Sequence, residues 1–229
     1  MLSYPQGMMT GMTMTRQRAS ALVADLGWRF LLGTYRTCVP VASLAEAGAV
    51  AAQVLSVPGV EGHLRLDLRD DRVILTVFPP GATMVAEAEA DLARRISDLV
   101  VGLGLKFEPE STQMLELAID AIDISEIRPF WRAVLGYADE VLPAGPNDPI
   151  IDPAGQGPAI WFQQMDAPRP QRNRIHFDLA VPHDQLEARL AAALVAGGAL
   201  VSDRDAPAFW VLADPEGNEI CLTTWQGRD

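Results

Sequence analysis

Between residues 113 and 226 one order of elements occurs twice, and this constrains the fold more than any other feature of the chain. Met114 to Ile122 reads as a strand, Ser125 to Gly136 as a helix, the Pro- and Gly-rich 143–157 region as short strands, and Ala159 to Met165 as a further strand. A second round follows: strand Arg174 to Val181, helix Asp184 to Ala196, then strands near Leu200, at Phe209 to Ala213 and at Asn218 to Thr224. Two successive βαβββ units predict an α+β domain built from paired modules.

The first half is ordered differently. Thr15 to Leu26 reads as a short amphipathic helix stopped by Gly27. Trp28 to Val41 alternates loosely and holds Tyr35, Thr37, Val39 and Pro40, which predicts a strand followed by a loop. Ser43 caps the next helix, Glu46 stands where a capping box needs it, and Leu44, Ala47, Ala51 and Leu55 recur at helical spacing. Leu64, Leu66 and Leu68 alternate strictly with His63, Arg65, Asp67 and Arg69, the mark of a strand with one buried face. Asp70-Asp71 turns the chain, and Val73, Leu75 and Val77 supply the partner strand of a hairpin. A long helix over Thr83 to Leu103 carries Leu92, Ile96, Leu99 and Leu103 on one stripe and ends at Gly102 and Gly104. Residues 107–112 are polar and read as a linker. The expected organisation is a flexible tail over 1–14, an α+β domain with an antiparallel sheet and helices on one face over 15–106, the linker, and the paired-module domain over 113–229.

The chain has 229 residues, enough for two domains, and at 49% hydrophobic and 21% charged it can bury cores. Its net charge of -12 falls on the second half: residues 1–107 carry 10 basic and 10 acidic side chains, residues 108–229 carry 8 and 20. That surface repels phosphate backbones, so nucleic acid is not an expected partner. No apolar stretch reaches the roughly 20 residues of a membrane span. Met1 to Met14 lacks the basic and apolar regions of a signal peptide, and Cys38 and Cys221 do not make a disulfide framework; together these predict a cytoplasmic protein. Walker, Rossmann, Cys-x-x-Cys and Gly-x-Ser-x-Gly motifs do not occur, which leaves phosphoryl, hydride and acyl transfer without support.

The run Asp214-Pro215-Glu216-Gly217-Asn218-Glu219-Ile220-Cys221-Leu222, the segment Arg174 to Val181, and Phe130-Trp131-x-x-Val134-Leu135-Gly136-Tyr137 together resemble the glyoxalase-like, or vicinal-oxygen-chelate, family over about residues 113–226. The resemblance implies a cupped sheet around a small molecule and a divalent metal that polarises neighbouring substrate oxygens. It puts a first-strand ligand at Glu116, a further ligand at Gln163, the family His at His176, and Cys221 where the family carries a metal-binding Glu. The expected metal set is Glu116, His176 and Cys221, with His176 and Glu116 as the catalytic pair. Imidazole and thiolate suit zinc better than a hard cation, although Cys221 reads equally as a small buried apolar residue and His176 as a hydrogen-bonded buried one. Trp161, Trp210 and Arg174 are candidate ligand contacts, aromatic walls and a cation for a small anionic molecule; core packing is the plainer role for either tryptophan.

Gly27-Trp28-Arg29, the Ser43 to Leu55 helix and the hairpin resemble the pterin-4a-carbinolamine dehydratase family over about residues 15–106. That likeness implies dehydration of a 4a-hydroxytetrahydropterin. Of the family's histidines only His63 is kept, within Gly62-His63-Leu64, and its simpler role is to begin a strand facing water. The function expected is therefore a small-molecule-binding glyoxalase-like protein with altered metal chemistry and a fused dehydratase-like domain, with lyase activity open. The alternatives are an active dehydratase using His63 and a resistance protein that sequesters its ligand. Both resemblances imply a homo-oligomer.

Overall fold

The computed structural model describes residues 14–168 and 176–227; all but Met14 of the tail expected over residues 1–14, and Arg174, lie outside the described residues. The chain divides into two compact units between Met114 and Leu115.

The first unit contains α1 (Arg16–Val23), β1 (Arg29–Leu31), β2 (Thr34–Pro40), α2 (Leu44–Leu55), β3 (Leu64–Leu68), β4 (Arg72–Val77) and α3 (Glu87–Gly102). Its sheet runs β1-β2-β4-β3, antiparallel throughout. Tyr35 and Val39 on β2, and Val73, Leu75 and Val77 on β4, are buried, while the residues between them on β4 are half-buried. Strict alternation has therefore put one face of the sheet against the helices, and each such side chain contributes about 1.5–3 kcal/mol by leaving water. The indole of Trp28, fully buried, donates to Ser97 Oγ on α3 at 2.8 Å.

Four sequence expectations shift here. Trp28 to Val41 is a hairpin rather than one strand and a loop, because Leu32 and Gly33 both take positive φ and turn the chain between β1 and β2. Glycine is required at that turn: a Cβ at Gly33 would stand 2.0 Å from the carbonyl oxygen of Thr83. That close approach, with Val85 N donating to Gly33 O at 2.9 Å, ties residues 83–85 to the turn and delays α3 to Glu87. On α2, Glu46 donates its backbone N–H to Ser43 Oγ and accepts from Ala42 N, one residue earlier than a capping box prescribes. The polar segment 107–112 is held to the first unit, with Glu108 N donating to Cys38 O at 2.8 Å, Pro109 buried and Phe107 against Trp28.

The second unit repeats one module. Its elements are β5 (Glu116–Ala121), α4 (Ile124–Leu135), β6 (Ala138–Asp139), β7 (Ile150–Ile151) and β8 (Ala159–Gln164), then β9 (Phe177–Ala180), α5 (Leu186–Val195), β10 (Ala199–Ser202), β11 (Phe209–Ala213) and β12 (Glu219–Thr223). In each module the first strand pairs in parallel with the last, β5 with β8 and β9 with β12, and the middle strands follow antiparallel. Helices α4 and α5 pack on each other, and the core gathers Ile119, Ile160 and Phe162 from one sheet, Leu212, Ile220 and Leu222 from the other, and Ile127, Phe130 and Trp131 from α4. Alternation leaves the opposite face of each sheet open.

Candidate functional site

The Asp214 to Asn218 turn joins the two modules through one buried carboxylate. Asp214 Oδ1 accepts from the backbone of Glu216 at 3.0 Å and Asn218 at 2.9 Å, while Oδ2 accepts from Asn218 Nδ2 at 2.7 Å and from the Trp131 indole at 2.8 Å. Gly217 takes φ +88, which completes the turn. Glu216 reaches across to accept from the backbone N–H groups of Ile122 and Asp123 at the start of α4. Trp131 also meets the ring of Phe177 on β9 edge-on, centroids 5.8 Å apart. These bonds hold the two module sheets in register with each other, and so fix where their open faces lie.

On the open face of the second sheet, β9 and β12 run in parallel with Asp178 opposite Cys221. His176 stands two residues before Asp178 and therefore on the same side of the chain. One ligand atom from each of His176, Asp178 and Cys221 lies within 4.8 Å of the others, and His176 Nε2 is 3.6 Å from Asp178 Oδ1. The His and Asp side chains are 58% and 63% exposed, and Cys221 is half-buried. A tetrahedral zinc with bonds of about 2.0–2.3 Å wants donors about 3.5 Å apart, so this group fits a borderline-soft divalent ion after a shift of about 1 Å. Three protein donors leave a fourth position for an oxygen of a ligand.

The remaining expected residues sit elsewhere. Glu116 is on the open face of β5, opposite Ala159 of β8, and stands outside the His176 group. Its charge acts instead on Glu140, whose carboxyl is held above its ordinary value by burial first and then by Glu116 and Asp148. Gln163 and Trp161 lie on β8 on the same face, opposite Asp120 and Ala118, with Trp161 37% exposed. Trp210 pairs with the fully buried Leu222 and packs against the core, so it lies on the far side of the sheet from Cys221. Val211, opposite Cys221, occupies the open side. Asp178 was not anticipated, although its spacing of two from His176 on an alternating strand is a legible signal. His183 is exposed and accepts from the Trp225 indole at 3.3 Å.

In the first unit, His63 Nδ1 is 2.9 Å from Glu89 Oε1. Glu89 is buried, and its other oxygen accepts from Ala86 N at 2.8 Å, so its carboxylate is fixed at the start of α3. Burial, and then the Glu89 charge, push the Tyr35 phenol up to about 12. Glu89 is the partner that sequence inspection of His63 did not supply.

Comparison with known proteins agrees with the module pattern. The profile of the glyoxalase-like domain matches residues 116–223, within the second unit. Similar solved structures include a glyoxalase/bleomycin resistance protein/dioxygenase family enzyme from Burkholderia phytofirmans PsJN, 17% identical, covering 49% of this chain and 98% of that one at a TM-score of 0.40. A hypothetical protein of S. aureus is 17% identical over 50% of this chain and 98% of its own, with a TM-score of 0.37. A fosfomycin resistance protein from Mesorhizobium loti is 9% identical over 51% and 94%, with a TM-score of 0.40. No curated protein matches the chain. Among the described residues no helix is long and apolar enough to cross a membrane. With two βαβββ modules, the Asp214 turn and the matching profile in agreement, residues 116–223 form a glyoxalase-like, or vicinal-oxygen-chelate, domain.

Proposed function

We propose that the glyoxalase-like domain binds a small oxygen-bearing molecule on its open sheet face and anchors it through a soft divalent ion held by His176, Asp178 and Cys221. The observation that carries this reading is the convergence of imidazole, carboxylate and thiol within 4.8 Å on two paired strands. When bound, such an ion would polarise a ligand oxygen as a Lewis acid. Gln163 and Trp161, on the open face of the other module's sheet, would orient that ligand, Gln163 by offering both a donor and an acceptor and Trp161 an aromatic surface. Replacing a carboxylate by Cys221 moves the preference from hard cations toward zinc, so altered chemistry or sequestration follows more readily than the reactions of a hard-cation enzyme. A homo-oligomer belongs to this proposal.

Titration with cobalt(II) tests it. We expect near-stoichiometric uptake with an intense thiolate-to-metal absorption band, loss of that band in Cys221→Ser, and affinity lowered by at least about tenfold in His176→Ala and in Asp178→Asn. No uptake by the wild-type protein would leave a metal-free binding face.

A second reading draws on the contact between His63 and Glu89. A 4a-hydroxytetrahydropterin loses water when one group protonates the departing hydroxyl and another takes the ring proton. His63, oriented by a buried carboxylate, has the geometry for either step. Turnover of that substrate is expected to fall at least about a hundredfold in His63→Ala and to fall in Glu89→Gln; turnover indifferent to both substitutions would remove the dehydratase reading.

A further inference from the structure

We infer that the open face of the first unit's sheet binds a small oxyanion, a phosphate- or carboxylate-bearing molecule, through a row of arginines laid across its strands. The row follows from register. Arg29 on β1 is opposite Arg36 on β2, Arg36 is opposite Thr76 on β4, and Thr76 is opposite Arg65 on β3. All four residues alternate with side chains that face the helices: Phe30, Tyr35, Leu75, Val77, Leu64 and Leu66. They therefore project from the other side of the sheet.

This row is electrostatically unsatisfied. Residues directly opposite on paired strands have Cβ atoms about 4.5–5.5 Å apart, and like charges so placed destabilise a sheet. Among the described residues none of Arg29, Arg36 and Arg65 has a carboxylate at ion-pair distance. Arg29 spends one of its nitrogens on the carbonyls of Trp28 and Ala24. Arg36 is half-buried, its Nε is fully buried without a hydrogen-bond partner, and desolvation holds its guanidinium below its ordinary value. The nearest acid acting on it, Asp67, is engaged by Arg69 at 2.9 Å. A charged group with a buried donor left without an acceptor is destabilising, and an oxyanion held by the same guanidinium would offset its desolvated charge.

The surroundings define the ligand class. A guanidinium presents a planar fork that matches carboxylate and phosphate oxygens two at a time. Arg65 is braced with its Cζ 4.5 Å from the centre of the Phe78 ring, and Thr76 offers a hydroxyl between Arg36 and Arg65. Ile74, two residues from Thr76 and opposite Cys38, adds apolar surface beside the row. The site thus suits an anionic head on a small, partly apolar body.

Calorimetric titration of the full chain with inorganic phosphate and, separately, with benzoate, at ionic strength fixed with chloride, tests the inference. Saturable binding of at least one probe is expected. Affinity should fall about tenfold or more in Arg36→Gln and measurably in Arg65→Gln, since each removes charge-assisted hydrogen bonds. Binding of phosphate alone would assign a phosphate-bearing ligand, and of benzoate alone a carboxylate on an aromatic body. If Arg36→Gln fails to fold, Arg65→Gln, at an exposed position, carries the test. Absence of saturable binding for both probes, or binding unchanged in the variants that fold, overturns the inference.

Discussion

Replacing Asp214 by Ala is expected to destabilise the glyoxalase-like domain by about 4 kcal/mol, a large share of what a single domain has. Asp214 is 3% exposed and its two oxygens accept four hydrogen bonds, two from backbone, one from Asn218 and one from the indole of Trp131. Truncation leaves the buried Trp131 N–H without an acceptor and loosens the turn that also positions Glu216. Each buried donor so stranded costs about 1–3 kcal/mol. The side chain joins the β11–β12 connection to α4, so the loss falls on the bond between modules rather than on one loop. Trp131→Phe, which removes the N–H but leaves the carboxylate its other three donors, should cost clearly less. Chemical unfolding followed by tryptophan fluorescence measures both. A shift below about 1 kcal/mol for Asp214→Ala would mean that water replaces the carboxylate and that the turn is not what joins the modules.

That turn was visible in the sequence as a motif, but its physical role was not. Asp214-Pro215-Glu216-Gly217-Asn218 announces a tight connection through its glycine and its side-chain acceptors. That Asp214 would also accept from Trp131, 83 positions earlier, is a tertiary fact. The same division runs through the fold. The β3–β4 hairpin was legible because leucines and valines alternate without exception, and the two modules because a strand–helix–strand order recurs at matching intervals. The β1–β2 hairpin was not, since Leu32 is an unlikely residue for positive φ and only the packing of residues 83–85 on Gly33 explains the turn.

The site was legible in part for related reasons. His176 and Cys221 come together because their strands pair in parallel, which follows from the repeat. Asp178 lies on the same face by simple alternation. The side that Trp210 takes was not legible because Phe209 to Ala213 is apolar at every position, so alternation gives no sign of which side meets the core. The arginine row is hidden in the sequence because strand order β1-β2-β4-β3 separates neighbours in the row by up to 40 positions, as with Arg36 and Thr76.

The short strands β6 and β7 hold only two residues each, too few for ladder bonds to fix them, and a buried ion pair does that instead. Arg128, buried on α4, donates from Nε to the carbonyl of Asp148 at 2.8 Å and from a terminal nitrogen to Asp139 Oδ1 at 2.7 Å; Arg132 donates to the other Asp139 oxygen at 2.7 Å. Asp139→Ala would leave the Arg128 charge buried and half paired, so a loss of about 3 kcal/mol is expected, whereas Arg132→Ala, on an exposed partner, should cost under about 1 kcal/mol. The hydrogen bond from Arg128, with the charges of both arginines, holds the Asp139 carboxyl below its ordinary range against the opposing effect of burial. A carboxylate whose folded pKa is depressed contributes stability that is fully present above the unfolded value of about 3.9 and is lost as pH falls through the folded value. Wild-type unfolding free energy should therefore decline below about pH 4, and the decline should be shallower in Asp139→Ala, because that variant has already lost the group whose protonation drives it. Denaturant midpoints measured between pH 3 and pH 7 separate the two cases: parallel curves for wild type and variant would mean that the pair does not hold β6 and β7 against α4, and that the packing of Ile150 alone fixes them.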